Sequence, residues 1–191
     1  MRIISGKFRG KKLFLPKDKN TRPLKDLVKE SIFNLLEHSA QIKKKIENTS
    51  VLDLFSGSGS FGLECISRGS QDVYFFENYR LAIKVLKKNI LSLNQINNFK
   101  IFEKDCFDYF NSKNILDKKF DIIFIDPPYK EIKINMLIEK IVYRKLLKKD
   151  GILNDISFES IFSISIQSLS QDLSIFIRIA PEILYHYHKS F

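Results

Sequence analysis

The stretch "SVLDLFSGSGSFGLECIS", residues 50–67, constrains the fold more than any other part of the chain. An apolar run ends around Asp53. Gly57, Gly59 and Gly62 then follow with G-x-G-x-x-G spacing, and helical apolar spacing resumes after them. Glycines in such a turn let the backbone approach a ligand closely and leave amide donors free at a helix N-terminus. Downstream, "VYFFE", "FKIFEKD" and "FDIIFID" have strand character, and "RLAIKVLKKNILSL" has the 3.6-residue spacing of an amphipathic helix. Strands alternating with helices predict an α/β fold with a doubly wound, mostly parallel, Rossmann-like sheet.

An acid follows each of the early strands. Glu77 ends the second strand 20 residues after Gly57, and Asp105 follows the third. An acid at the end of strand two suits the ribose diol of either NAD or S-adenosylmethionine. Two features favour S-adenosylmethionine. Asp53 would repel a dinucleotide's pyrophosphate but accept from a cationic amino group. The sequence "DPPY", residues 126–129, has no use in hydride transfer, which would instead want a patterned general acid.

Pro127 and Pro128 remove ladder hydrogen bonds, so the fourth strand must end before them. Asp126, preceding a proline, is biased toward extended backbone and continues the strand direction. The chain thus presents a carboxylate, a stiff backbone and the ring of Tyr129 at the C-terminal edge of the sheet, where open α/β folds bind ligands. An exocyclic amine on a nucleobase is a poor nucleophile because its lone pair is delocalised into the ring. If the Asp126 carboxylate and the Pro127 carbonyl both accept its N–H hydrogens, the lone pair is freed and aimed. Pro127 and Pro128 fix the carbonyl's direction, Tyr129 offers a stacking face, and the base must be unstacked to enter. The expected catalytic group is therefore Asp126, Pro127, Pro128 and Tyr129.

The net charge of +10 fits a polyanionic partner, and its distribution sharpens the point: 30 of the 32 Lys and Arg, but only 18 of the 22 acids, lie in residues 1–150. "MRIISGKFRGKKLFLP" alternates apolar and basic residues around Gly6 and Gly10, which predicts a short basic hairpin. Arg2, Lys7, Arg9, Lys11, Lys12 and Arg22 are the candidate RNA-contacting residues. "NTRPLKDLVKESIFNLLEH" predicts a helix with Pro23 in its first turn. Residues 1–40 form an N-terminal hairpin and helix extension, and residues 41–191 the catalytic domain. No segment approaches the roughly 18–20 apolar residues that span a bilayer, and no signal peptide is visible, so a cytoplasmic protein without membrane contact is expected. Cys65 and Cys106 lack metal-ligand spacing, and His186 and His188 lack a third ligand, so neither a disulfide framework nor a metal is expected.

These residues resemble class I S-adenosylmethionine-dependent methyltransferases, and more narrowly the RsmD family, which methylates N2 of one guanine in bacterial 16S ribosomal RNA. The resemblance rests on "MRIISGKFRGKKL", "TRPLKDLVKESIFNLL", "LDLFSGSGSFGLECISRGS" and "FDIIFIDPPY" and covers about residues 1–150. It implies that Asp53, Phe55, Gly57 and Gly59 line the methionine end of the cofactor, Glu77 the ribose, and Asp105 with Cys106 the adenine. It also implies that residues 126–129 hold the guanine and that a monomer acts on 16S rRNA in the small ribosomal subunit. Leu24 and Leu27 stand where the family usually has Thr and Arg. The tail, residues 154–191, departs from the family: "NDIS" is expected to interrupt the last core strand, whether by divergence or by a shifted reading frame. Two rivals stay open. A DNA adenine-N6 methyltransferase would use "DPPY" equally well but should carry a sizeable target-recognition domain. A non-catalytic RNA-binding protein on the same fold would not need Asp53, Glu77 and Asp126 intact.

Overall fold

The computed structural model describes residues 1–18, 24–38, 45–94, 96–112, 117–128 and 131–155, and the backbone of 175–178. The strands are β1 Ser50–Leu54, β2 Asp72–Phe76, β3 Phe99–Phe102, β4 Phe120–Ile125, β5 Leu147–Asp155 and β6 Ile175–Arg178. Between them run α1 Asp26–His38, α2 Ser60–Ser67, α3 Arg80–Ser92, α4 Cys106–Asn111 and α5 Ile134–Tyr143. The strands form one sheet in the order β3-β2-β1-β4-β5-β6, and its pairings are parallel. This is the doubly wound sheet expected from the alternation. β1 and β4 are neighbours and the winding reverses between them, so their C-terminal ends open the crevice in which such sheets bind ligands.

β1 and β4 are buried along their whole length, which is why both read as near-continuous apolar runs. Side-chain alternation sorts the core into two layers. Val51, Phe75, Ile122, Phe124 and Ile152 pack with α1, α2 and α3 on one face. Leu52, Leu54, Phe76, Ile123, Ile125 and Leu153 pack with α4 and α5 on the other. On the first face three rings tie α1 and α2 to β4. Phe33 stacks on Phe61 at 5.1 Å, and Phe61 on Phe124 at 3.8 Å with the planes only 6° apart. Both faces of the sheet are thereby covered just below the crevice.

The N-terminal residues differ from a regular hairpin, since a single antiparallel bridge, Arg2 to Lys12, replaces a ladder. The strap closes on itself through Ile3 N to Lys11 O at 2.9 Å, Gly10 N to Ile3 O at 2.8 Å and Leu13 N to Met1 O at 3.2 Å, and its turn bonds in addition to α2. Lys7 N donates to Ser67 O at 2.7 Å, and Phe8 N to Ser67 Oγ at 2.9 Å, so the strap caps the C-terminal end of that helix. Ile3 and Leu13 are buried in the same apolar cluster as the sheet, each burial contributing about 1.5–3 kcal/mol. Gly6, at φ 79°, lies so close to α2 that a Cβ would stand 1.8 Å from Ser67 O. Gly6→Ala therefore combines backbone strain with a clash against backbone that cannot move alone. It should cost at least about 2 kcal/mol and lower the melting temperature by several degrees in thermal denaturation. An unchanged melting temperature would show that the strap is not seated this way.

A second difference lies at β5, which runs on through the first two residues of "NDIS", Asn154 and Asp155, while Ile156 and Ser157 lie outside the described residues. Asn154 and Asp155 pair in register with Phe124 and Ile125 of β4. A register shift earlier in the pairing, between Phe120 and Ile122, absorbs the extra residues around Gly151. Backbone pairing to two neighbours holds the strand, and side-chain polarity does not end it. The cost appears locally, because the buried Asn154 carboxamide has no hydrogen-bond partner among the described residues.

Candidate active site

The C-terminal ends of β1, β2, β3 and β4 bring four of the predicted acids to one edge of the sheet. Asp53 is not at the tip of β1 but one residue inside it, and is almost completely buried. Its Oδ2 accepts from Gly62 N at 3.0 Å, so the carboxylate caps the start of α2 across the turn. Burial pushes the Asp53 carboxyl well above the usual carboxylate range. The Gly62 N–H opposes that shift, and the charges of Asp126 and Glu77 add to it. Three carboxyl groups therefore share one field at the crevice, an arrangement that favours a cationic occupant.

Glu77 follows β2 and is held by backbone amides. Gly57 N donates to Oε2 at 2.7 Å, while Asn78 N and Tyr79 N donate to Oε1 at 3.0 and 2.8 Å. Asp105 is the N-cap of α4, accepting from Phe107 N at 2.8 Å, and its other oxygen accepts from Asn78 Nδ2 at 2.8 Å. Cys106 begins α4 and is buried, and burial raises its thiol far above the ordinary value, so it packs rather than reacts. Phe55 occupies the left-handed region at φ 57°, which is rare for a bulky side chain, and its ring meets Phe107 at 5.8 Å.

The three glycines have separate roles. A Cβ on Gly62 would meet the Phe75 ring at 2.3 Å and one on Gly59 would meet Leu86 Cδ1 at 2.4 Å, so those two permit close packing. At Gly57, φ 55°, the nearest atom to a Cβ would be Phe55 O at 4.0 Å. Gly57 thus leaves a bare backbone beside open space, next to the acid cluster. Open space over a glycine turn and a buried carboxylate sharing a negative field together fit the sulfonium and ammonium groups of S-adenosylmethionine. They do not fit a pyrophosphate.

Asp126 continues β4, with its amide 3.5 Å from Leu54 O. It is half-buried, Pro127 is buried and Pro128 exposed. Tyr129 and Arg22 lie outside the described residues. Arg2, Lys7, Arg9, Lys11 and Lys12 are all exposed on the strap while Ile3 and Leu13 point into the core and Phe8 packs partly against it; Phe14, which the alternation also puts on the packed face, is exposed. The basic residues sit on the α2 side of the sheet, Lys7 beside the C-terminal end of α2 and Arg2 beside Lys29, which reaches Ser60 at the other end of that helix.

Some residues of the site carried no sequence signal. Ser56 Oγ lies 2.7 Å from Asp53 O and 3.0 Å from Phe76 O, joining the ends of β1 and β2. Asn78 links the second and third acids. A small hydroxyl in a glycine turn and an Asn after a strand-ending acid are the only hints, and neither is specific. Conversely, the first acid of "FDIIFID" is structural. Asp121 accepts from Ser50 N at 2.9 Å and Lys148 Nζ at 2.7 Å, and so ties β1, β4 and β5 at the opposite edge.

Comparison with known proteins agrees with this geometry. The family model described as Conserved hypothetical protein 95 matches residues 1–160. YlbH from Bacillus subtilis is 35% identical over 151 residues, 79% of each chain. The ribosomal RNA small subunit methyltransferase D of Buchnera aphidicola from Acyrthosiphon pisum is 35% identical over 149 residues, 78% of this chain and 73% of the relative. Among solved structures, yhhF from Escherichia coli superposes with a TM-score of 0.65 at 29% identity, covering 78% of this chain and 75% of that one. A match across most of the chain, together with the glycine turn and the sequence D-P-P-Y after β4, places this protein in the RsmD family.

Proposed function

We propose that this protein transfers the methyl group of S-adenosylmethionine to the exocyclic N2 of a guanine in 16S ribosomal RNA. The observation that carries the proposal is the meeting of Asp53, Glu77 and Asp126 in one field at the β1/β4 crevice, beside the open face of Gly57. When bound, S-adenosylmethionine supplies an activated methyl on a sulfonium centre. Asp53 and the glycine turn hold the methionine end, Phe55 narrows the turn, and Glu77 and Asp105, with Cys106 packed behind, hold the adenosine. Asp126 and the Pro127 carbonyl accept the two amine hydrogens, keeping the nitrogen lone pair directed at the methyl. The carboxylate then offsets the positive charge that grows on nitrogen as the N–C bond would form and the S–C bond break, leaving S-adenosylhomocysteine, and the surplus amine proton would pass to solvent. Tyr129 completes the base pocket by stacking. Arg2, Lys7, Arg9, Lys11, Lys12 and Arg22 neutralise phosphates, and residues 1–40 act as the RNA-facing part of a cytoplasmic monomer that works on the small subunit.

The relatives named as small subunit rRNA methyltransferases support ribosomal RNA over DNA as the substrate, and "DPPY" alone would serve either base amine. The test is nucleoside mass spectrometry of small-subunit RNA from a strain lacking the protein, followed by methylation of that RNA with the purified chain. Loss of one N2-methylguanosine and its restoration in vitro are expected. Restoration of N6-methyladenine in DNA instead would move the protein to the rival class, and no transfer to either would leave only RNA binding.

A further inference from the structure

Both ends of the N-terminal strap are joined to the glycine turn by buried side chains that the chemistry above does not use. At one end stands Asn89 of α3, fully buried. Its Oδ1 accepts from Phe14 N at 2.7 Å, and its Nδ2 donates to Phe14 O at 3.0 Å and to Ser58 O at 2.9 Å. The carboxamide pairs with residue 14 as another strand's peptide would, and its remaining hydrogen reaches the turn. At the other end Lys29 of α1, also fully buried, donates from Nζ to Arg2 O at 2.6 Å and to Ser60 Oγ at 3.2 Å. Glu64 lies 3.6 Å from that ammonium and accepts from Ile4 N at 2.7 Å and Ser5 N at 2.9 Å, so it grips the same strap.

Ser58 and Ser60 flank Gly59, whose φ of 81° belongs to the left-handed region. They are two points at which the turn is held from the side of the strap, while Glu77 holds Gly57 N from the opposite side. Packing alone would be served as well by apolar side chains, because a buried polar group must first lose its water. Only a group with one acceptor and two directed donors can hold Phe14 and Ser58 together, and only a long cation reaches from Arg2 O to Ser60. We infer that Asn89, with Lys29 as the second bridge, is a positioning residue that sets the conformation of the glycine turn from the strap. The seating of the strap then governs the affinity for S-adenosylmethionine, although no strap residue belongs to the cofactor site. This rests on the proposed function, and it makes the basic face that meets RNA and the turn that meets cofactor parts of one support.

The experiment is calorimetric titration of the full chain with S-adenosylmethionine and S-adenosylhomocysteine, with melting temperatures recorded in parallel. Asn89→Asp keeps the shape but turns both donated bonds into oxygen–oxygen repulsion. It should raise the cofactor Kd about tenfold while kcat at saturating cofactor stays within about threefold. Ser60→Ala removes only the contact with Lys29 and should raise Kd about threefold without a folding defect. Asn98→Ala serves as the control, since Asn98 Nδ2 donates to Ser70 O at 2.9 Å, away from the turn. It should lower the melting temperature and leave Kd unchanged. Wild-type binding together with unchanged Kd in folded Asn89→Asp and Ser60→Ala overturns the inference alone. So does a control that shifts Kd as much as they do. A wild-type chain that binds no cofactor overturns the proposed function as well.

Discussion

Asp126→Ala is expected to leave S-adenosylmethionine affinity within a few fold and to lower single-turnover methylation by about a hundredfold or more. The carboxylate meets the amine chiefly as charge develops, and removing one group placed to stabilise charge in the transition state costs about 2.7–4 kcal/mol of barrier. The same substitution removes one of the charges that raise Asp53, so a more readily ionised Asp53 offsets the weaker negative field and cofactor affinity should change little. Rapid-quench assays with saturating RNA separate the chemical step from binding. Near-normal single-turnover rates would remove Asp126 from its proposed role.

Asp53→Asn is expected to have opposite effects on stability and on function. Burial holds the Asp53 carboxyl above its unfolded value, so the folded state keeps the proton to higher pH than the unfolded chain does. Its contribution to stability is therefore fully present below the unfolded value of about 3.9 and is lost as pH rises through the raised folded value. Asparagine carries no such dependence and can still accept from Gly62 N. The variant should match the wild type near pH 4 and exceed it at pH 8 by on the order of 1 kcal/mol, or about 2–4 °C in melting temperature. Cofactor affinity should fall about a hundredfold, because a hydrogen bond to a charged group contributes about 1.5–3 kcal/mol. Paired thermal scans at the two pH values, with a titration at pH 8, measure both effects. A variant less stable at pH 8 than at pH 4, relative to wild type, would show that the buried carboxylate is compensated by a group other than Gly62.

The fold and the rim of the site were legible in the sequence because both depend on local rules. Periodicity of two and of 3.6 marked the strands and helices, and strand-ending acids and glycines fall at one edge of a parallel sheet by topology alone. Asp53, Glu77, Asp105 and Asp126 were found on that basis. The two acids of "FDIIFID" show the limit. Asp121 and Asp126 look alike in the chain, yet one ties strands at the far edge and the other faces the crevice, and only strand direction in the sheet separates them.

By itself the sequence determined the parallel α/β class, the glycine turn, the acid-bearing edge and the exposure of the basic residues in the strap, since each follows from neighbours in the chain. Tertiary structure decided what depends on partners far apart in sequence. It seated the strap on α2 through Ser67, 59 to 62 residues away, in place of a regular hairpin. It continued β5 through Asn154 and Asp155 because two neighbouring strands offered backbone partners. It buried Lys29 against Glu64, and it bonded Asn89 to Phe14 across 75 residues. Burial fixes those choices: a polar group withdrawn from water takes whichever partner the packed chain brings within 3 Å, and no local pattern records which one that will be.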